Sequence, residues 1–241
     1  MNTFTHCTNI LPAAQARLWP ELRGASRIGF TLYGGTAIAL RLGPRQSLDF
    51  DFFSEKPLDR QMILDALPFL AHSETIQDQK NAWSVIWCAE GSDEGRVKVS
   101  FFGAISFGRV GNPETTEDGI LQVASLDDLM ATKLKVIMQR AEAKDYRDIA
   151  AMIDSGVSLA RGLASARLLY GANFQPMASL KALTYFDDGN LKTLCGNEKS
   201  TLRKAAESVS ELPAVELLSK SLCEVSLHKP KPQPSFPRTG M

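Results

Sequence analysis

Apolar positions in the first fifty residues recur at helical spacing and then alternate. Leu11, Leu18 and Leu22 share one face of a helix expected over about 10–23. Pro20 stands where it would kink or split that helix. A short apolar run over 28–33 reads as a strand. Gly34-Gly35-Thr36 interrupts it and opens a short helix through Leu42, which Gly43-Pro44 closes. From Ser47 to Phe53 the pattern alternates, with Leu48, Phe50 and Phe52 toward one side and Asp49 and Asp51 toward the other. A helix over 58–67 is expected to end at Pro68. Strands follow near 74–79, 82–89 and 96–102, with breaks at Lys80-Asn81 and in a hairpin loop over 91–95.

Past Gly119 the spacing becomes helical throughout. Ser125, with Asp128 three residues on, has the form of a helix N-terminus. That helix is expected to run to about Arg140, and another from about 144 to 154, stopped by Gly156. Helices and short loops continue to 222, and four prolines over 227–241 mark a disordered tail. The fold expected is α+β, with a mixed or antiparallel sheet followed by a helical region. The expected division is 1–120 for the sheet domain, 121–226 for helices that complete the site, and 227–241 for the tail.

The composition is that of a globular protein: 44% of 241 residues are hydrophobic and 22% charged. The 27 basic and 27 acidic residues cancel, so any nucleic-acid contact must rest on a local patch. Cys7, Cys88, Cys195 and Cys223 lack metal-knuckle spacing, and His6, His72 and His228 are scattered, which argues against a zinc site and for reduced thiols. With no signal-peptide layout and no membrane-length apolar run, the expected location is the cytoplasm.

Two aspartates on one face of a strand lie about 7 Å apart and repel unless a cation sits between them. Asp49 and Asp51 therefore suit a hard divalent ion such as Mg²⁺, although a solvent-facing strand carries such pairs by chance. The glycine turn changes the weighting, because Gly34-Gly35 precedes a helix N-terminus, where free amides and the dipole favour phosphate. Arg45 and Ser47 stand just before the acids, placed to bind phosphate or orient the carboxylates. Lys133, Arg140, Lys144 and Arg147 would form one basic stripe, placed to meet triphosphate or RNA backbone, if the helices were nearly continuous. Asp145 and Asp148 share a helix face, where they either pair with these cations or approach the site.

Gly34-Gly35-Thr36-Ala37-Ile38-Ala39-Leu40 and Arg45-Gln46-Ser47-Leu48-Asp49-Phe50-Asp51-Phe52-Phe53 together resemble the abortive-infection AbiEii/AbiGii nucleotidyltransferase-like toxin family. That family belongs to the DNA polymerase β-like nucleotidyltransferases. The resemblance continues through Ala131-Thr132-Lys133-Leu134, Arg140 and Lys144-Asp145-Tyr146-Arg147-Asp148-Ile149, and again at Tyr185-Phe186-Asp187-Asp188. It implies a polymerase β-like domain that transfers a nucleotide from an NTP with Mg²⁺ or Mn²⁺, as the toxin of a type IV toxin–antitoxin pair. Asp49 and Asp51 would hold two metal ions; Gly34, Gly35, Thr36, Arg45, Ser47 and Lys133 would bind the nucleotide, with Thr36 replacing the superfamily's serine. Asp145 or Asp148 would orient or deprotonate the acceptor hydroxyl. A tRNA or protein acceptor and a cognate antitoxin are the implied partners. One departure stands out: the strand expected to carry a third carboxylate presents Lys98 and Ser100 instead. That departure keeps open a catalytically weak or inactive protein acting by nucleotide or partner binding.

Overall fold

The computed structural model describes residues 2–89 and 95–224. The expected loop at 91–95, apart from Gly95, and the expected tail at 227–241 lie outside the described residues. Strand β1 (Thr3–Phe4) is followed by helices α1 (Ala13–Leu18) and α2 (Arg23–Arg27). A 3₁₀ turn over Trp19–Leu22 divides these helices at Pro20, which has no amide to donate to a continuous α-helix. Strand β2 (Thr31–Tyr33) begins later than the apolar run, because Gly29 at φ +94° turns the chain just before it. Helix α3 (Gly34–Leu42) ends on Gly43 in the left-handed conformation, as its sequence predicts.

Strand β3 (Asp49–Phe53) buries Phe50 and Phe52 completely. Leu48 does not join them: it precedes the first paired residue of β3 and is 61% exposed. Helix α4 (Arg60–Ala66) and strands β4 (Glu74–Gln79), β5 (Ala82–Cys88) and β6 (Arg96–Phe102) follow where the sequence places them. Strands β7 (Glu114–Thr116) and β8 (Gln122–Val123), like β1, are too short to show alternation, and sequence patterning misses all three.

Among the described residues, eight strands form one mixed sheet in the order β1-β7-β8-β2-β3-β6-β5-β4. Strand β3 pairs antiparallel with β2 and parallel with β6. Stacked rings of Phe52, Phe101 and Trp83 run through the core beneath these strands.

The later helices are α5 (Leu126–Val136), α6 (Ala143–Asp154), α7 (Leu159–Tyr170), α8 (Pro176–Thr184) and α9 (Gly196–Glu207). Helix α5 stops at Val136, short of the expected Arg140, and the chain turns so that Arg140 reaches back to Asp145. This turn also breaks the expected basic stripe: Lys133 and Arg140 bind Asp145, Lys144 pairs with Glu142, and Arg147 with Glu198. Helix α5 packs against α3, α6 and α7, so one hydrophobic cluster runs from the sheet into the helices. The segment after α9 returns to the sheet side, where Arg109 bridges to Ser219 and the Thr31 hydroxyl donates to the Leu222 carbonyl at 3.1 Å. No helix among the described residues is long and apolar enough to cross a membrane.

Candidate active site

The pleat of β3 presents Asp49 and Asp51, both half-buried, on the face opposite Phe50 and Phe52. Neither carboxylate forms an ion pair among the described residues. Parallel pairing with β6 sets Lys98 beside Asp49 and Ser100 beside Asp51. Ser100 is fully buried, bonded to the Asp51 carboxylate and, at 3.1 Å, to the Ser84 hydroxyl. The register thus confirms that this stretch of β6 supplies no acid.

Burial pushes the Asp51 carboxyl above its usual value, and the Asp49 charge adds to the rise; Lys98, Lys133 and the Ser100 hydroxyl offset it in part. The pair is therefore short of positive charge. Two hard carboxylate oxygen donors one pleat apart suit a hard divalent cation such as Mg²⁺ or Mn²⁺. The chemistry of the donors and the strained ionisation of Asp51 both fit a divalent cation held here.

The glycine turn exists because the backbone passes close to these groups. Gly34 has φ +74°, and a Cβ there would lie 2.6 Å from Asp51 Oδ2. A Cβ on Gly35 would lie 2.6 Å from Arg45 Nη2 and 3.0 Å from Ser47 Oγ. The first amides of α3 thus open beside the carboxylate pair. Thr36 points elsewhere: it is buried, and its hydroxyl donates to the Asp49 carbonyl, tying α3 to β3.

Behind the carboxylates lies a buried ionic network. Lys133 on α5 donates to Asp145 Oδ1 at 2.6 Å and approaches Asp148 Oδ2 at 2.7 Å. Arg45 grips Asp148 with two bonds of 2.8 Å, and Arg140 donates to both oxygens of Asp145 at 2.8 and 3.2 Å. Both aspartates are wholly buried. Burial pushes the Asp145 carboxyl up, but Arg140 and Lys133 outweigh that and hold it below its usual value.

One cleft, with a volume of about 540 Å³, brings together Gly34, Gly35, Arg45, Ser47, Asp49, Asp51 and Lys133. Asp145 and Asp148 do not line it; their oxygens are committed to the cations that do. Lys98, Arg140 and Lys144 add positive charge to the walls, and Leu48, Phe102 and Val136 add apolar surface. Sequence reasoning did not single out Phe102 or Val136 for the site, and nothing in their spacing sets them apart from core residues.

Comparisons with known proteins bear on the family and the fold. A sequence model described as "Nucleotidyl transferase AbiEii toxin, Type IV TA system" matches residues 22–213. An uncharacterised protein of Aquifex aeolicus (strain VF5) is 34% identical over 122 residues, which cover 50% of this chain and 55% of that protein. The match thus spans little more than half the length of this curated relative. Among solved structures, a putative nucleotidyltransferase from H. pylori superimposes with a TM-score of 0.53 at 17% identity, covering 80% of this chain and 92% of that one. MenT4, a nucleotidyltransferase toxin of Mycobacterium tuberculosis H37Rv, superimposes with a TM-score of 0.52 at 14% identity, covering 80% and 90%. At these identities the two structures show the shared fold.

Proposed function

The chain belongs to the AbiEii nucleotidyl transferase toxin family of type IV toxin–antitoxin systems, and from that premise we propose that it transfers a nucleoside monophosphate from an NTP to an acceptor hydroxyl in a divalent-metal-dependent reaction. The observation that carries this reading is the Asp49–Asp51 pair, free of ion pairs among the described residues, facing a glycine turn and a helix N-terminus in one cleft.

Asp49 and Asp51 would hold the metal. A divalent cation held there would supply charge stabilisation to the phosphoryl group in transfer. The open amides at Gly34 and Gly35 would receive the triphosphate. Lys133 and Arg45 are fixed by Asp145 and Asp148 at the cleft wall, so their charge is aimed before substrate arrives, the condition under which electrostatic stabilisation is strongest. On this reading Asp145 and Asp148 position cations rather than take the acceptor's proton. The α5–α6 helices thereby complete the site that the sheet begins. For the acceptor we favour tRNA, and for the partner a cognate antitoxin, on the strength of the family.

Ser100 in register with Asp51 favours a second reading, in which the fold binds NTP with little or no turnover. Incubation with each α-³²P-labelled NTP, Mg²⁺ or Mn²⁺ and total tRNA separates the two. Label on RNA or on protein, lost in an Asp49→Ala/Asp51→Ala variant, is the outcome expected for transfer and identifies the acceptor class. Metal-dependent NTP binding without label on any acceptor would replace transfer with the binding-only reading.

A further inference from the structure

Nearly every cation lining the cleft already holds an anion. Arg45 is bound to Asp148, Lys133 to Asp145 and Asp148, Arg140 to Asp145, and Lys144 to Glu142. Lys98 alone of these makes neither ion pair nor hydrogen bond among the described residues. It is half-buried, and the β3–β6 register fixes it beside Asp49, two residues from Ser100. The charged groups that share the cleft with it are Asp49, Asp51, Arg45, Lys133, Arg140 and Lys144, so no other acid lines it to satisfy the ammonium once a cation occupies the carboxylates.

The charge count is equally specific. Asp49 and Asp51 supply two negative charges, no group of three or more metal-ligating acids, histidines or cysteines occurs among the described residues, and Lys98 cancels one of the two. One divalent ion leaves such a site mildly positive and receptive to a triphosphate. A second would stand against the ammonium with no carboxylate of its own.

We propose that the Lys98 ammonium stands in for a second metal ion: the chain holds one divalent cation at Asp49 and Asp51, and Lys98 binds non-bridging phosphate oxygens of the NTP beside it. This rests on the nucleotidyl-transfer reading. In the transfer, the acceptor oxygen bonds to the α-phosphorus and the bond from that phosphorus to the oxygen bridging the β-phosphate breaks. Pyrophosphate leaves with the electron pair, and the acceptor's proton passes to water in the open cleft. Lys98 keeps its protons throughout and acts by charge, as a compact cation on a phosphoryl group does.

The test uses the full chain, Mn²⁺ and non-hydrolysable α,β-methylene analogues of the four NTPs. Electron paramagnetic resonance of free Mn²⁺ is expected to count one bound ion per chain in the complex, and two would overturn the proposal. Lys98→Ala is expected to weaken analogue binding at least tenfold while leaving Mn²⁺ binding to the nucleotide-free protein unchanged or tighter, and Lys98→Arg to recover most of the loss. Analogue binding by Lys98→Ala as tight as that of the wild type, with unfolding curves superimposable, would also overturn it. A wild-type chain that binds no analogue, or Mn²⁺ binding indifferent to Asp49→Asn, would instead remove the nucleotidyl-transfer reading and the role of Lys98 with it.

Discussion

Asp49 and Lys133 serve one cleft but are held in opposite ways. The Asp49 carboxylate makes no ion pair among the described residues, so Asp49→Ala is expected to abolish transfer while moving stability by less than about 0.5 kcal/mol. Lys133 sits between two wholly buried carboxylates, and removing it leaves charge uncompensated in the interior. Lys133→Met should therefore cost about 3 kcal/mol in a urea titration, less whatever Arg45 and Arg140 recover, in addition to its effect on transfer. Equal stabilities for the two variants would refute the distinction. Gly34 adds a backbone case: alanine there takes on about 1–2 kcal/mol of left-handed strain and collides with Asp51 Oδ2, so Gly34→Ala is expected to lose Mn²⁺ binding, readable by calorimetry. At this scale much of the site was legible. Alternation alone put Asp49 and Asp51 on one face, and the two glycines announced a close approach. The grip of Arg45 on Asp148 was not, because a partner 103 residues away leaves no local trace, and for Asp145 the sequence left pairing with nearby cations and approach to the site equally open.

Elements were legible where length and punctuation were sufficient. Helix α3 carries glycines at both ends, and β4, β5 and β6 are each long enough to show their spacing. Strands of two or three residues such as β7 and β8 carry no period to detect, and their place in the sheet is set by β2. The N-terminus of α9 escaped for another reason: Cys195 caps it, with the Glu198 carboxylate closing back onto the Cys195 amide at 2.7 Å, and cysteine is not among the residues a cap search favours. The N-terminus of α5 followed the rule but does more than cap. Ser125 accepts from the Asp128 amide at 3.1 Å, while the Asp128 carboxylate accepts from the amides of Val110 and Gly111. Ser125→Ala should thus cost about 1 kcal/mol, the value of a cap. Asp128→Ala should cost about 2–3 kcal/mol, since it also strands two inward amides. Thermal unfolding of the two variants checks the order, and a reversal would mean that the loop over 110–111 contributes nothing through Asp128.

For the molecule as a whole, the site works against the fold that carries it. Asp145 has a lowered pKa, so its contribution is present at neutral pH and is lost as pH falls through the folded value below the ordinary carboxylate range. Asp51 has a raised one, and the sign reverses: its neutral form is the one the fold prefers, so stability is highest below the ordinary carboxylate value and declines as pH rises through the raised folded value. Ionising Asp51 in the metal-free fold therefore carries a cost, largely from burial and from Asp49. Replacing that carboxylate by its neutral isostere should remove the cost together with the function, as expected where a site is built for charge it does not itself neutralise. Asp51→Asn is expected to melt a few degrees above the wild type at pH 7 and to lose that advantage as pH falls below the ordinary carboxylate value, where Asp51 is protonated in both states. Mn²⁺ should raise the wild-type melting temperature toward that of the variant and leave the variant unmoved, because ligand linkage requires the site that the substitution deletes. Were Asp51→Asn less stable at pH 7, the Asp51 carboxylate would have to be already satisfied within the fold, and the cleft would have no unmet charge with which to draw a metal in.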